Sequence, residues 1–245
     1  MKRIGIICEG PTDFAVLSGV IDKISGEENT YFQLQPEDDL TGKYGNGWKG
    51  VWKWCHDCAS IREKLMRGVQ PSLDFLVVQM DGDVSRKEKS THCRCLATQC
   101  PHKEQWDPIE CDVRPERKHL CPVVLPCADH AGSVEGYMSH LKGLITTWFG
   151  SADDVCVAIP CDSIEAWIVA AYDATEDCES IADPWRQVIA HGKFYHGIRI
   201  HAQKKSARVF EQFVPTVCKN WKQVTELCKS ARDFEASIAK FLGSA

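Results

Sequence analysis

Two stretches of this sequence end an apolar run in carboxylates. One reads RIGIICEGPTDFAVL, from Arg3 to Leu17; the other reads DFLVVQMDGD, from Asp74 to Asp83. A carboxylate at the C-terminal end of a buried strand is costly unless something cationic meets it. Glu9 follows the first run, and Asp81 and Asp83 follow the second. Acids two residues apart leaving a strand point to one side, and Gly82 between them lets the backbone turn. Three carboxylates in one crevice repel unless a hard divalent cation joins them. Oxygen-only ligands favour Mg²⁺ or Mn²⁺ over zinc, so magnesium is the expected ion. Each motif also has a plainer reading, since Gly-Pro-Thr-Asp starts a helix well and Asp-Gly-Asp is a common turn. Their joint occurrence after two buried strands favours a metal site.

For those acids to meet, their strands must share a sheet. Residues 3–8 are a near-continuous apolar run, as expected of a strand covered on both faces. Gly10-Pro11 breaks it and sets Pro11 near the first position of a helix. That helix shows Phe14, Leu17, Ile21 and Ile24 on one face and ends near Gly26. Residues 30–34 suggest another strand, and Trp48, Val51, Trp52, Cys55, Cys58 and Leu65 predict a helix over 48–68. Val134, Met138, Leu141, Ile145 and Trp148 define an amphipathic helix. Residues 154–160 read as a strand, and DSIEAWIVAAYD as a helix capped by Asp162 or Ser163. From Asp183 onward only helical patterns appear. Strands alternating with helices, then helices alone, predict an α/β chain with a mainly parallel, doubly wound sheet and a helical C-terminal region. Residues 3–8, 75–80 and 154–159 should be neighbouring parallel strands.

Composition narrows the function classes. The 245 residues are 44% apolar and 26% charged, which argues against a disordered chain. The net charge of −5, from 29 basic and 34 acidic residues, provides no global basic field for nucleic acid. Any such contact must be a local patch or assisted by metal. No stretch reaches the roughly 18 apolar residues of a membrane span, and the apolar run after Arg3 is too short for a secretion signal. The expectation is a soluble, cytoplasmic protein with no membrane partner. A Walker motif is lacking, so the chain does not power itself.

Glu-Gly-Pro-Thr-Asp after a first strand, then Asp-Gly-Asp after a later one, resembles the TOPRIM domain. That domain is shared by topoisomerases, primases and OLD-type nucleases, and the EGPTD form resembles the OLD-like nucleases more than the topoisomerases. AIPCDSIEAWIVAAYD is also similar to a stretch in small stand-alone TOPRIM proteins, some from anti-phage defence operons that also encode an ATPase. The resemblance covers residues 1–175, with an insertion at 84–121, and leaves 176–245 as the helical region. It implies a TOPRIM/Rossmann-like fold and a metal-dependent nuclease acting on DNA or RNA, regulated by an ABC/SMC-like ATPase partner. Glu9 would be the acid/base or bridging ligand, with Asp81 and Asp83 holding metal. Asp13, one helical turn after Glu9, could serve a second ion, as in two-metal hydrolysis. Asp162 and Glu165 sit where OLD-like sites place further acids, although Asp162 could merely cap its helix and Glu165 merely face solvent. Lys204, Lys205 and Arg208 are the densest basic cluster near an element boundary, suited to phosphate, to pairing with the acids, or to a solvated face. Two other readings stand beside the nuclease: a catalytically quiet module that binds an ATPase, and phosphoryl chemistry on a nucleotide. A homo-oligomer is compatible with all three.

The chain has 14 cysteines. Cys8, Cys156, Cys161, Cys178, Cys218 and Cys228 lie in or beside apolar segments and read as small core residues, and Cys55 and Cys58 fit an apolar helix face. Cys93, Cys95, Cys100 and Cys111, with His102 among them, could hold a structural Zn²⁺, though the spacing matches no standard ribbon. The alternative for this insert is a flap beside Asp83 with unligated thiols.

Overall fold

The computed structural model describes residues 1–36, 44–68, 72–83, 134–150, 153–181 and 183–243. The cysteine cluster at 93–111 and the rest of the 84–121 insertion lie outside the described residues. Four strands form one parallel sheet: β1 (Arg3–Ile7), β2 (Thr30–Gln35), β3 (Phe75–Gln79) and β4 (Val155–Ala158). Their order is β2-β1-β3-β4. The expected neighbours are therefore neighbours, and apart from Arg3 and Gln79 at their ends β1 and β3 are apolar because strands and helices cover them on all sides. The chain winds outward from β1 in one direction and from β3 in the other. The crevice beyond their C-terminal ends is the switch point where open α/β sheets place ligands.

Helix α1 (Pro11–Ser25) starts with Pro11 after Gly10 and stops at Gly26, which takes a left-handed φ of 71° and donates to the Asp22 carbonyl. It buries Val16, Leu17, Val20 and Ile21, with Phe14 and Ile24 partly covered at the margins. Helix α2 (Trp48–Cys58) is shorter than the expected 48–68. The chain tightens into a 3₁₀ turn at Ala59–Ile61 and then widens into a π turn at Lys64–Gly68, which carries Met66 into the core. Arg62 lies in this irregular stretch and bonds the Phe149 carbonyl at 3.1 Å. Phe149 ends α3 (Val134–Phe149), which buries Met138, Leu141, Ile145 and Phe149, leaving Trp148 only partly covered.

Helix α4 (Glu165–Asp173) is buried from Glu165 through Ala171, as a helix roofed by other helices must be. The expected side-chain cap is absent: Ile164 occupies the cap position. The Asp162 carboxylate instead accepts the Asp183 N–H at 3.1 Å, and the Ser163 carbonyl accepts the Ala166 N–H. The roof is α5 (Trp185–Ala190), α6 (Ala207–Lys219), α7 (Trp221–Leu227) and α8 (Lys229–Leu242). Gly19 lets α6 approach α1 closely, because a Cβ there would strike Val214. Phe241 of α8 stacks on Phe75 of β3 at 5.1 Å. Glu179 accepts the Lys229 and Ser230 N–H groups at 2.7 and 2.8 Å, so a carboxylate closes the N-terminus of α8. The cysteines read as core residues are buried, except Cys218, which is half-buried; Cys55 and Cys58 are buried as well. Among the described residues no helix is long and apolar enough to cross a membrane.

A two-stranded hairpin, β5 (Phe194–Tyr195) and β6 (Ile198–Arg199), interrupts a region expected to be helical only. Two residues per strand are too few to show alternation in the sequence. Its turn, His196-Gly197, has positive φ at both residues, 46° and 84°, as primed hairpin turns require.

Trp167 joins the sheet layer to the roof. Fully buried on α4, it stacks on Phe234, meets Trp221 edge-on and donates to Ser230 Oγ at 2.8 Å. Trp167→Ala should cost about 3–5 kcal/mol, the usual loss for a buried large ring. Denaturant unfolding followed by far-UV circular dichroism reads this directly. A loss below about 1 kcal/mol would contradict the packing described.

Candidate active site

The crevice is built from backbone and side chain together. After β1, the Glu9 N–H donates to Gln79 Oε1 at 3.1 Å. Gln79 Nε2 donates to Asp81 Oδ1 at 2.9 Å, and the Asp81 N–H returns to Glu9 Oε1 at 2.7 Å. Glu9, Gln79 and Asp81 thus close a ring of hydrogen bonds between the exits of β1 and β3. The N-terminus of α2 approaches from the other side, its Gly47 N–H bonding the Glu9 carbonyl at 2.8 Å. The Trp48 N–H acts on the Glu9 carboxylate.

The Asp81-Gly82-Asp83 turn is held by main chain. Beyond the formal ends of β3 and β4 the pairing continues, with the Met80 N–H on the Ala158 carbonyl, Gly82 on Pro160 and Asp83 on Asp162. Gly82 is required for this approach, because a Cβ would come within 2.8 Å of Cys161 Sγ and 2.9 Å of the Pro160 carbonyl oxygen.

The electrostatics link acids from four elements. Burial pushes the Glu9 carboxyl well above the carboxylate range; Asp83 and Asp13 add repulsion, while the Asp81 and Trp48 N–H groups oppose it. Asp81 is raised in the same way, first by burial and then by Glu9, Asp13, Asp83 and Glu165. Both residues keep some surface at the mouth of the crevice while their carboxylates are enclosed by protein. Asp13 lies in the first turn of α1, where its own N–H and that of Gly10 favour its charge. Burial and Glu165 nevertheless push it up to about 7, against the pull of Lys205. Glu165, only 2% exposed, is met by Lys205 Nζ at 2.5 Å. Burial alone would lower the Lys205 ammonium, but Glu165, Asp81 and Asp13 together hold it above its ordinary value.

Of the acids expected from the sequence, Glu9, Asp13, Asp81, Asp83 and Glu165 act on one another here. The structure puts Asp162 next in line, its carbonyl pairing with Asp83 and its carboxylate turned to Asp183. Lys205 belongs to the acids, whereas Lys204 and Arg208 are exposed. Gln79 was not among the expected residues. The signal was present, since it is the lone polar side chain in Leu-Val-Val-Gln-Met and is fully buried.

The donor set suits a hard divalent cation: carboxylate oxygens, mutually repelling and crowded under burial. Among the described residues no three His, Cys, Asp or Glu side chains are gathered as a ready-made cage, so the acids would have to turn onto an ion. Comparison with known proteins brings no family model, curated protein or solved structure that matches this chain.

Two expectations follow from this geometry. Asp13 has a folded pKa above its unfolded one, so its stabilising contribution is complete below 3.8 and is lost as pH rises through about 7. The Asp13→Asn melting temperature should therefore fall less than that of wild type between about pH 5 and about pH 8, and added Mn²⁺ should narrow the difference at the upper end. Parallel curves for the two proteins would remove Asp13 from the acid cluster. Gln79→Leu strands the Glu9 N–H and Asp81 Oδ1 and should cost about 1–3 kcal/mol in chemical denaturation. Gln79→Glu adds another carboxylate and should be harmed more at neutral pH than in mild acid.

Proposed function

We propose that this chain is a metal-dependent nuclease of the TOPRIM type, hydrolysing phosphodiester bonds in DNA or RNA. The observation that carries the reading is the meeting of Glu9, Asp81, Asp83 and Asp13 at the switch point of a parallel sheet, where burial and mutual repulsion raise Glu9, Asp81 and Asp13. A structural role would not call for so many acids crowded together under burial, and perturbed groups of this kind gather at functional sites. Mg²⁺ or Mn²⁺ held by Asp81 and Asp83, with Asp13 and Glu165 as further ligands, would neutralise the phosphodiester and supply an activated water. Glu9, with its carboxyl raised by burial, suits proton transfer to or from the reacting oxygens. Gln79 fixes the Glu9 backbone and the Asp81 rotamer, so neither acid drifts as charge changes. The motif resemblance places such an enzyme under the control of an ATPase partner in anti-phage defence.

A second reading has its own support. Lys205 already sets a cation against the acids, as a catalytically quiet module bound to an ATPase would allow.

Incubating the protein with plasmid DNA and with total RNA, with and without Mg²⁺ or Mn²⁺, separates the two. Cleavage should need the metal and be abolished by chelator. Glu9→Ala should lower the rate by about 10²–10⁴-fold while melting like wild type. Asp81→Asn and Asp83→Asn should also raise the metal concentration needed, because a neutral amide oxygen is a poorer ligand. Undiminished cleavage by folded Glu9→Ala would rule the mechanism out. A wild-type protein inactive on both substrates with either metal would favour the quiet module.

A further inference from the structure

We propose that the outer face of the β5–β6 hairpin, with the basic stretch leading from it to Lys205, is the surface on which a single-stranded nucleic acid lies as it enters the acidic crevice. The proposal rests on the nuclease reading and specifies the form of its substrate.

The hairpin has two unlike faces. Tyr195 and Ile198 pair across it and face inward, whereas Phe194 and Arg199 pair across it and face out. The inner face is anchored: the fully buried Tyr195 packs on Tyr172 and Phe213, and its hydroxyl donates to Asp173 Oδ2 at 2.8 Å. His196 Nε2 bonds the other Asp173 oxygen at 2.7 Å. The outer pair is thus presented by a fixed support. Phe194 is 57% exposed, and among the described residues it is the one Phe, Tyr or Trp ring left mostly in water. A flat ring beside a guanidinium, both facing solvent, matches what a base and its phosphate require.

Charge points the same way. Between Arg186 and Glu211 the sequence has no Asp or Glu, although the whole chain is net acidic at −5. Lys193, Arg199, Lys204 and Arg208 are exposed there, and among the described residues none of the four makes an ion pair. Arg186 and Lys205, at the margins, do pair, with Asp183 and Glu165. The stretch therefore runs from open positive surface to a lysine at the edge of the crevice, with its ammonium on Glu165. Arg199 and Lys205 are six residues apart in sequence, which limits their separation to roughly 20 Å of extended chain. A strand held on the hairpin has its next nucleotides within reach of the acids. An exposed ring can stack only on an unpaired base, which favours single strands over duplex.

The test is fluorescence anisotropy with labelled oligo-dT and oligo-U of about 15 nucleotides, in chelator so that nothing is cleaved, across a salt series. Phe194→Ala should weaken binding by about fivefold to a hundredfold at every salt concentration, with the salt slope unchanged. Lys193→Gln combined with Arg199→Gln should flatten the slope by about 1.4, or about 0.7 per lost phosphate contact. Tighter binding of oligo-U or of oligo-dT assigns the surface to RNA or to DNA, and either result supports it. Unchanged affinity and slope in variants that melt like wild type would overturn the proposal. Failure of the wild type to bind either oligonucleotide would overturn it too, as would equal loss on a duplex of the same length. The two readings fail separately. Weakened variants of a wild type that cleaves nothing retain the surface and discard the nuclease, whereas cleavage with undisturbed binding in the variants does the reverse.

Discussion

Like charges brought together under burial are the constraint on which the rest of this structure depends. Glu9, Asp13, Asp81, Asp83 and Glu165 come from the exits of two central strands, the first turn of α1 and the start of α4. Each of those elements is positioned by apolar packing, and the core that does the packing has no use for the acids. Burial of β1 and β3 on both faces forces the carboxylates to the one place where the sheet opens, and there they meet. What relieves them is local: N–H groups from α1 and α2, a glutamine amide, and one ammonium.

That ammonium makes the C-terminal helices necessary to the crevice. Lys205 stands just before α6, and α6 is held against α1 through the close approach at Gly19 and a Cys218 thiol donating to the Gly19 carbonyl at 3.3 Å. Trp167 and Phe241 tie the remaining helices to the sheet. Packing far from the acids thereby decides where the cation sits, and a core change in the roof would be felt in the charge balance at Glu165.

Much of this was legible in the sequence, for physical reasons that differ by residue. An apolar run ending in acids marks a buried strand and its exit, so Glu9, Asp81 and Asp83 could be read without neighbours. That β1, β3 and β4 would be parallel neighbours followed from covered runs separated by helices. Gln79 escaped because one amide in a strand has no periodic signature, and its meaning lies in partners 70 residues away for Glu9 and two for Asp81. Lys205 could be seen only as part of a basic cluster, since pairing with Glu165 depends on how α6 lies over α4. The early end of α2 and the missing side-chain cap of α4 reflect tertiary bonds of Arg62 and Asp162, which override local preference. The hairpin was too short to alternate.

The continued pairing beyond β3 and β4 bears on how this crevice can change over generations. Main-chain hydrogen bonds do not discriminate among side chains, so the turn that carries Asp81 and Asp83 owes its shape to groups that every residue but proline possesses. Side chains around it, Gln79 aside, are free to drift without altering the path of the turn's backbone. Gly82 is the exception, since a Cβ there would meet Cys161 and Pro160. Selection on the shape of this turn is therefore concentrated on a single position that carries no chemistry of its own.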